Sequence, residues 1–352
     1  MPVNITASVS ATITAYSQAA TEAWDQYVLN HPNGTVFHLT AWKRAIESCF
    51  GFKACYLYAE EAGAFCGILP LFLCRNLLQG KSLISTPFAV YGGPCGDSVE
   101  VESALRSRAI EMARELDVQY LELREQKTIL DTGLITKELY VTFDLELPRT
   151  ADELQRIFPR DTRYMIRKAE KNGLHSIVNR NQLDTFYEIY ARSFHNLGTP
   201  VFPRKLFRAV FDEFGDQCEL TTVWREKKAL ASVISFHYKD WILPYFGGSL
   251  LEGRQYAANN FMYWEVMKRA QEMGIRHFDF GRSKLGSGSY SFKTSWNMRE
   301  RPLPYQFALV RRKTMPNFSP ANPKFKVAIS AWRSMPFGMT KVLGPALVHL
   351  FP

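Results

Sequence analysis

Apolar positions along the chain switch between a helical and an alternating period, and the whole series of switches occurs twice. Residues 44–51 (RAIESCFG) and 208–215 (RAVFDEFG) each read as the end of an amphipathic helix closed by a glycine, Gly51 or Gly215. An alternating hairpin pattern follows in both places: residues 56–59 and 65–69 around a turn at 60–63, then residues 220–224 and 230–236 around a turn at 225–228. Next comes an aromatic residue before paired glycines, Tyr91-Gly92-Gly93 and Phe246-Gly247-Gly248, which predicts a strand in each copy. The stripe Leu105, Ala109, Met112, Ala113 and Leu116 predicts a helix over 104–117, leading into a strand over 118–123. Its counterpart is a helix over 257–273 and a strand over 275–280, with Glu122 and Asp279 at the same place in the two copies.

Matching segments in the same order, offset by about 160 residues, are the mark of an internal duplication. The pattern predicts a mixed α/β (α+β) protein of two similar domains. The breaks fall at residues 147–150 (LPRT) and 316–323 (PNFSPANP), giving domains at 1–150 and 151–312 and a C-terminal tail at 313–352.

Composition narrows the class. Hydrophobic residues make up 46% of the chain, enough for packed cores and outside the disordered range. The 43 Lys and Arg against 34 Asp and Glu leave a charge of +9, which favours an anionic, phosphate-bearing partner such as a nucleotide-containing cofactor, tRNA or an anionic membrane surface. Cys49, Cys55, Cys66, Cys74, Cys95 and Cys218 form no CxxC pair and read as buried, reduced thiols. The N-terminal stretch has neither a basic region nor a continuous apolar run, so no signal peptide is expected, and no apolar run approaches the length of a membrane span. These readings predict a cytoplasmic protein, placed at the inner face of the membrane if the basic, apolar tail makes peripheral contact with lipid.

Candidate chemistry concentrates in the second copy. After the strand bearing Asp279 come Gly281, Arg282, Lys284, Gly286, Gly288, Tyr290 and Lys293, a glycine- and cation-rich run that reads as a flexible loop able to approach a phosphate or carboxylate. It is not a GxGxxG or Walker sequence and does not read as the opening of a helix. Asp279 lies between Phe278 and Phe280, where a carboxylate suits either general-base chemistry or an ion pair with Arg276, Arg282 or Lys293. Lys293 is placed to neutralise a developing oxyanion or hold donor phosphates, with Tyr290 a further catalytic candidate. His237 reads as a satisfied sheet histidine. Arg163, Arg167 and Lys171 share one face of a helix closed by Asn172-Gly173, with Lys168 beside them and Met165, Ile166 and Ala169 on its apolar side. Aligned cations make a clamp for phosphates. The scattered histidines give no metal-ligand spacing, and there is no GxSxG elbow.

The helix spanning Arg163, Arg167, Lys168, Ala169 and Gly173, together with the stretch from Phe278 to Phe292-Lys293, resembles the Fem-type acyl/aminoacyl transferases. The similarity extends to FemAB-related proteins of exosortase and exopolysaccharide loci, to the enzymes that build peptidoglycan cross-bridges and to acetyltransferases linked to cellulose production. It covers roughly residues 20–310. The resemblance implies two tandem GNAT-like domains, an acyl-CoA or aminoacyl-tRNA donor and no metal. It further implies catalysis by Lys293 and substrate binding by Arg163 and Arg167. An N-acyl or aminoacyl transferase of envelope or exopolysaccharide synthesis is the expected function. A CoA-dependent acetyltransferase and a non-catalytic membrane adaptor are the alternatives. The ~30 residues between Gly173 and Phe202 are too few for the long helical arm of tRNA-using relatives. The 283–288 segment also lacks the pyrophosphate turn of GNAT acetyltransferases.

Overall fold

The computed structural model describes residues 11–76, 80–127, 132–316 and 323–352. Its contacts divide the chain into two units. One comprises residues 1–138, 304–315 and 352, the other residues 139–303 and 316–351. The expected tail therefore folds with the second unit, while residues 304–315 return to the first. The proline-rich break expected at 316–323 lies almost wholly outside the described residues.

In the first unit, strand β1 (Thr12–Ala15) precedes helices α1 (Thr21–Asn30) and α2 (Thr40–Phe50) and strand β2 (Lys53–Ala54). Helix α2 ends, as its pattern predicts, at Gly51, which adopts φ 64°. The hairpin of β3 (Leu57–Glu61) and β4 (Ala64–Leu69) follows. Its turn residues Ala62 and Gly63 both have positive φ, the geometry that lets a two-residue turn match the twist of its strands. Then come β5 (Phe72–Asn76), β6 (Gly80–Ile84), β7 (Cys95–Gly96), α3 (Val99–Glu115) and β8 (Tyr120–Arg124). Ser98 caps α3 by accepting from the Val101 amide. Leu57, Leu69, Leu105, Ala109 and Leu121 close the core between sheet and helix.

One expected strand is absent. Tyr91-Gly92-Gly93 is irregular, because the carbonyls of this region are taken by side chains instead of a ladder. The Arg124 guanidinium donates to Thr86 O and Ala89 O, and the Thr86 hydroxyl donates to Tyr91 O. Gly92 is forced here, since a Cβ would fall 1.8 Å from Thr86 Oγ1.

The second unit begins within β9 (Ile135–Glu146) and continues with α4 (Ala151–Ile157), α5 (Arg160–Lys171), β10 (Leu174–Val178), α6 (Leu183–Leu197) and α7 (Arg204–Phe214). The hairpin β11 (Cys218–Arg225) and β12 (Lys228–Tyr238) leads to β13 (Trp241–Ser249), α8 (Ala258–Glu272) and β14 (His277–Asp279). Beyond lie β15 (Ser283–Lys284), α9 (Gly288–Thr294), β16 (Arg299–Leu309), α10 (Pro323–Ser334) and α11 (Phe337–Val348). Within this unit the strand order is β10-β11-β12-β13-β14-β9. The core gathers Phe143, Ile166, Val233, Met262, Phe278 and Trp296.

The duplication read from the sequence is present as architecture. Each unit holds a hairpin followed by a parallel strand pair joined through a helix: β6 with β8 across α3, and β13 with β14 across α8. None of the six cysteines is in a disulfide and five are buried, with Cys55 partly exposed instead of buried as expected. Among the described residues, no helix is long and apolar enough to cross a membrane.

Two glycine substitutions separate steric from conformational cost. Gly92→Ala is expected to lower unfolding free energy by about 3 kcal/mol or more. Gly51→Ala, at positive φ but in open space, costs about 1 kcal/mol. Denaturant titration of both variants checks this, and equal losses would contradict the crowding assigned to Gly92.

Candidate active site

The parallel pair at the middle of the second unit is short. Strands β13 and β14 register only at Trp241↔His277 and Ile242↔Phe278, whereas β13 runs on to Ser249. The two strands therefore open into a wedge. Opposite β12 the ladder shifts between Ile234 and Ser235, so that Tyr245 stands as an extra residue between Pro244 and Phe246. Pro244, with no N–H, sits where β13 has left its parallel partner. At the far end of β13, Gly253 fits against Leu230 and Ala258 where a Cβ would come within 3.1 Å of Ala258. Ala257 (φ 58°) then turns the chain into α8, whose first amides have no side-chain cap. These amides carry the positive end of a 15-residue helix.

Asp279 ends β14. It is 5% exposed and accepts from the Thr142 hydroxyl (2.6 Å) and the Gly281 amide (2.8 Å). Arg276, one of its expected partners, pairs instead with Asp240 at 2.6 Å. Asp144 lies directly across the β9–β14 ladder from Asp279 and was not picked out from the sequence. Antiparallel neighbours share a face, so two buried carboxylates and Thr142 point away from the Phe143 and Phe278 side of the sheet. Asp144 is matched by Arg299 (2.6 Å) and by Arg301. The pattern of alternating apolar residues in β9 carried this signal, with Thr142 and Asp144 between Val141, Phe143 and Leu145.

The run after Asp279 is not one flexible loop. Ser283 and Lys284 form β15 against Val141 and Tyr140 of β9. Gly286 turns at φ 71°, and α9 does open here, with Ser287 accepting from the Tyr290 amide. The serine oxygen fills the role of a helix cap, which is why the glycine-rich segment becomes ordered. Gly288 is the first residue of α9 and is exposed. Arg282 lays its guanidinium over the Tyr140 ring at 4.7 Å. Tyr290 donates its hydroxyl to Glu300 at 3.1 Å, which raises its pKa.

Lys293 projects inward from α9 and is 8% exposed. Its Nζ donates to Phe280 O (2.6 Å) and Gly281 O (2.7 Å), with Arg282 O at 3.3 Å. Burial pulls its pKa down to about 7, opposed by the charge of Asp279 and reinforced by that of Arg282. The Nζ faces backbone carbonyls here, so Lys293 clasps the turn that follows Asp279.

Helix α5 joins this site at one point, where the Thr162 hydroxyl donates to Ser295 O at 2.6 Å. Ile166 and Ala169 are buried and Met165 packs on the core, as the stripe predicted. On the outer side Arg167 and Lys171 are exposed and Arg163 and Lys168 half-exposed. Among the described residues none of these four cations is in an ion pair. They are not brought against Lys293 by any hydrogen bond. Helices α6 and α7, 15 and 11 residues long, pack on the sheet and do not project as an arm. His237 departs from expectation, since neither ring nitrogen has a hydrogen-bond partner and Nε2 lies 3.4 Å from Glu219 Oε1. Among the described residues no group of His, Cys, Asp and Glu forms a metal site.

The depressed Lys293 pKa fixes a sign. Between about pH 7 and 10.5 the unfolded chain binds a proton that the folded one does not, so folding stability rises with pH across that window. Lys293→Met is expected to flatten this rise, which amounts to a few kcal/mol. Denaturant titrations at pH 7 and pH 10 measure it, and an unchanged slope in the variant would remove the assignment.

Residues 158–294 match the family model of the acetyltransferase (GNAT) domain. A comparison with curated protein sequences gives no significant match. Among solved structures, FemX is 17% identical, covering 85% of this chain and 98% of its own, with a TM-score of 0.68. The C-terminal domain of a putative lysylphosphatidylglycerol synthetase from Agrobacterium fabrum is 13% identical over 92% of this chain and 96% of its own, with a TM-score of 0.56. A tandem GNAT protein from the clavulanic acid biosynthesis pathway is 10% identical over 86% and 100%, with a TM-score of 0.53. Residues 158–294 thus match a GNAT acetyltransferase domain, and the fold of the chain is similar to those of FemX and a tandem GNAT protein.

Proposed function

We propose that the chain transfers an acyl or aminoacyl group from an anionic carrier to an amine on a sugar- or peptide-linked acceptor. The setting is the building of peptidoglycan, exopolysaccharide or another envelope polymer at the cytoplasmic side of the membrane. The observation that carries this reading is the wedge between β13 and β14, with the uncapped start of α8 at its far end. A strand edge released from its partner offers backbone groups to an extended acyl arm, and helix amides offer a seat for the carrier's phosphates. The unpaired cations Arg163, Arg167, Lys168 and Lys171 add a phosphate-binding surface. Acetyl-CoA is the donor to try first, given the family match at 158–294. Aminoacyl-tRNA is the other, although α6 and α7 leave no long arm for it.

In this reading the acceptor nitrogen attacks the acyl carbonyl directly. The C–N bond forms, the bond to the carrier breaks, and the amine proton leaves through Asp279. Asp144 balances Arg299 and Arg301 beside it. Lys293 holds the turn at 280–282 so that Asp279 keeps its place, and Tyr290 stands by as the group returning a proton to the departing carrier. Arg282, Lys284, Gly286 and Gly288 shape the rim of the turn.

Calorimetric titration with acetyl-CoA and CoA is the first test. Binding near one per chain, weakened severalfold in an Arg163→Ala/Arg167→Ala variant, is expected. No binding by folded protein would shift the donor to aminoacyl-tRNA. Once turnover is measured, Asp279→Asn should lower kcat by about 100-fold with little change in Tm. An unchanged kcat would exclude Asp279 as the base.

A further inference from the structure

We propose that the pocket between β10, β11 and the C-terminal half of α8 binds a small protonated amine. Its floor follows from the alternation of the two central strands. Val223 on β11 and Ala231 and Val233 on β12 belong to the core under α8, so Glu219, Thr221, Ser235 and His237 stand on that same face of the sheet. Glu219 and Ser235 are direct neighbours across the ladder. The pocket has a volume of about 370 Å³ and is walled by Ser176, Thr221, Glu265, Lys268, Arg269 and Glu272. The Thr221 hydroxyl, 1% exposed, lines it without a hydrogen-bond partner. Around it Glu219 Oε1, Ser235 Oγ and both ring nitrogens of His237 also lack one. Buried polar groups are ordinarily satisfied, and so many orphans on one face mark a place built for something else to fill.

Hydrogen-bonding need and charge select the ligand. A carboxylate oxygen only accepts, so Glu219 Oε1 calls for a donor, and the hydroxyls of Thr221 and Ser235 can each accept one as well. The cations of the wall do not supply it. Lys268 pairs with Glu265 at 2.5 Å, and Ser176 donates to the same carboxylate at 2.9 Å. Arg269 stands 3.7 Å from Glu219 Oε2 and 3.6 Å from Glu272, beyond hydrogen-bond distance of either. Three carboxylates, Glu219, Glu265 and Glu272, thus face two cations, and the carbonyl end of α8 adds partial negative charge. An ammonium group brings N–H donors and the balancing charge together. A phosphate or carboxylate would bring neither and would meet the three acids. The pocket lies toward the last residues of α8, at the other end of the helix from the uncapped amides, so the inference does not depend on the acyl-transfer reading.

Calorimetric titration of the full chain tests it, with ethanolamine, putrescine and glucosamine as amine probes and N-acetylglucosamine and inorganic phosphate as controls. Saturable binding of at least one amine, and of neither control, is expected. Glu219→Gln keeps the shape and removes the charge, and is expected to weaken binding about tenfold. Thr221→Val is expected to weaken it about threefold while Tm holds or rises, because an unpartnered buried hydroxyl contributes nothing to folding. A purely structural Thr221 would instead lower Tm and leave binding alone. Should Glu219→Gln fold poorly, Thr221→Val decides the matter. No amine binding by the folded wild type, equal binding of a control, or full binding by the folded variants overturns the proposal. So does binding that Asp279→Asn abolishes and Glu219→Gln leaves intact, which would place the amine in the wedge instead.

Discussion

The amine of Lys293 and the carbonyls it gathers are the contact on which the end of β14, with Asp279, depends. Gly281 at φ 72° turns the chain just after β14, which aims the carbonyls of Phe280, Gly281 and Arg282 at one buried point. Left without a donor, each buried acceptor would cost about 1–3 kcal/mol. Lys293 supplies that donor from a helix of seven residues, too short to be stable in isolation. The clasp therefore fixes both partners at once. It sets the end of β14, and with it Asp279, and it anchors α9 beside Trp296, whose ring packs edge-on to Phe280 at 5.8 Å. Burial of the amine pulls its pKa down, against the opposing charge of Asp279.

The two units share an architecture and differ in what fills the corresponding place. In the first, Glu122 on β8 is paired with Arg124 at 3.0 Å, and Arg124 spends its remaining donors on backbone carbonyls, including those of Thr86 and Ala89. The region that would match the free part of β13 is folded into the irregular segment around Gly92. In the second, Asp279 ends a strand beside an open wedge and is held by a hydroxyl and an amide. Duplication preserved the crossover, and the substitution of a buried arginine for a wedge is what separates a closed copy from an open one.

Period and punctuation made the fold legible. Gly51 and Gly215 ended α2 and α7 as predicted, the stripe through Leu105, Ala109 and Ala113 is the buried side of α3, and the Met165, Ile166 and Ala169 side of α5 faces the core. Where the prediction failed, long-range hydrogen bonds decided. In the strand expected at Tyr91 to Gly93 the Tyr91 carbonyl accepts from the Thr86 hydroxyl, and the segment before it is held by Arg124, which donates to Thr86 O and Ala89 O from 35 or more residues away along the chain. The loop expected before Lys293 became ordered through β9, which no local pattern near 283 announces. The alternation in β9 marks the face of Asp144, but its pairing with Asp279 is set by a ladder that joins distant segments.

The charge of +9 is not spread evenly over the cations, and its distribution argues for where an anion settles. Arg276, Arg299, Arg192 and Lys341 each meet a carboxylate at 2.7 Å or closer. Their fields are largely cancelled beyond the pair. Among the described residues, Arg163, Arg167, Lys168 and Lys171 of α5 are in no ion pair. The helix is seated by its apolar side and by the Thr162 hydroxyl, while like charges along its outer side repel one another. Helix α5 is tied to the end of α9 through Thr162 and Ser295, so the placement of Asp279 rests on one short helix held by Lys293 from one side and by Thr162 from the other.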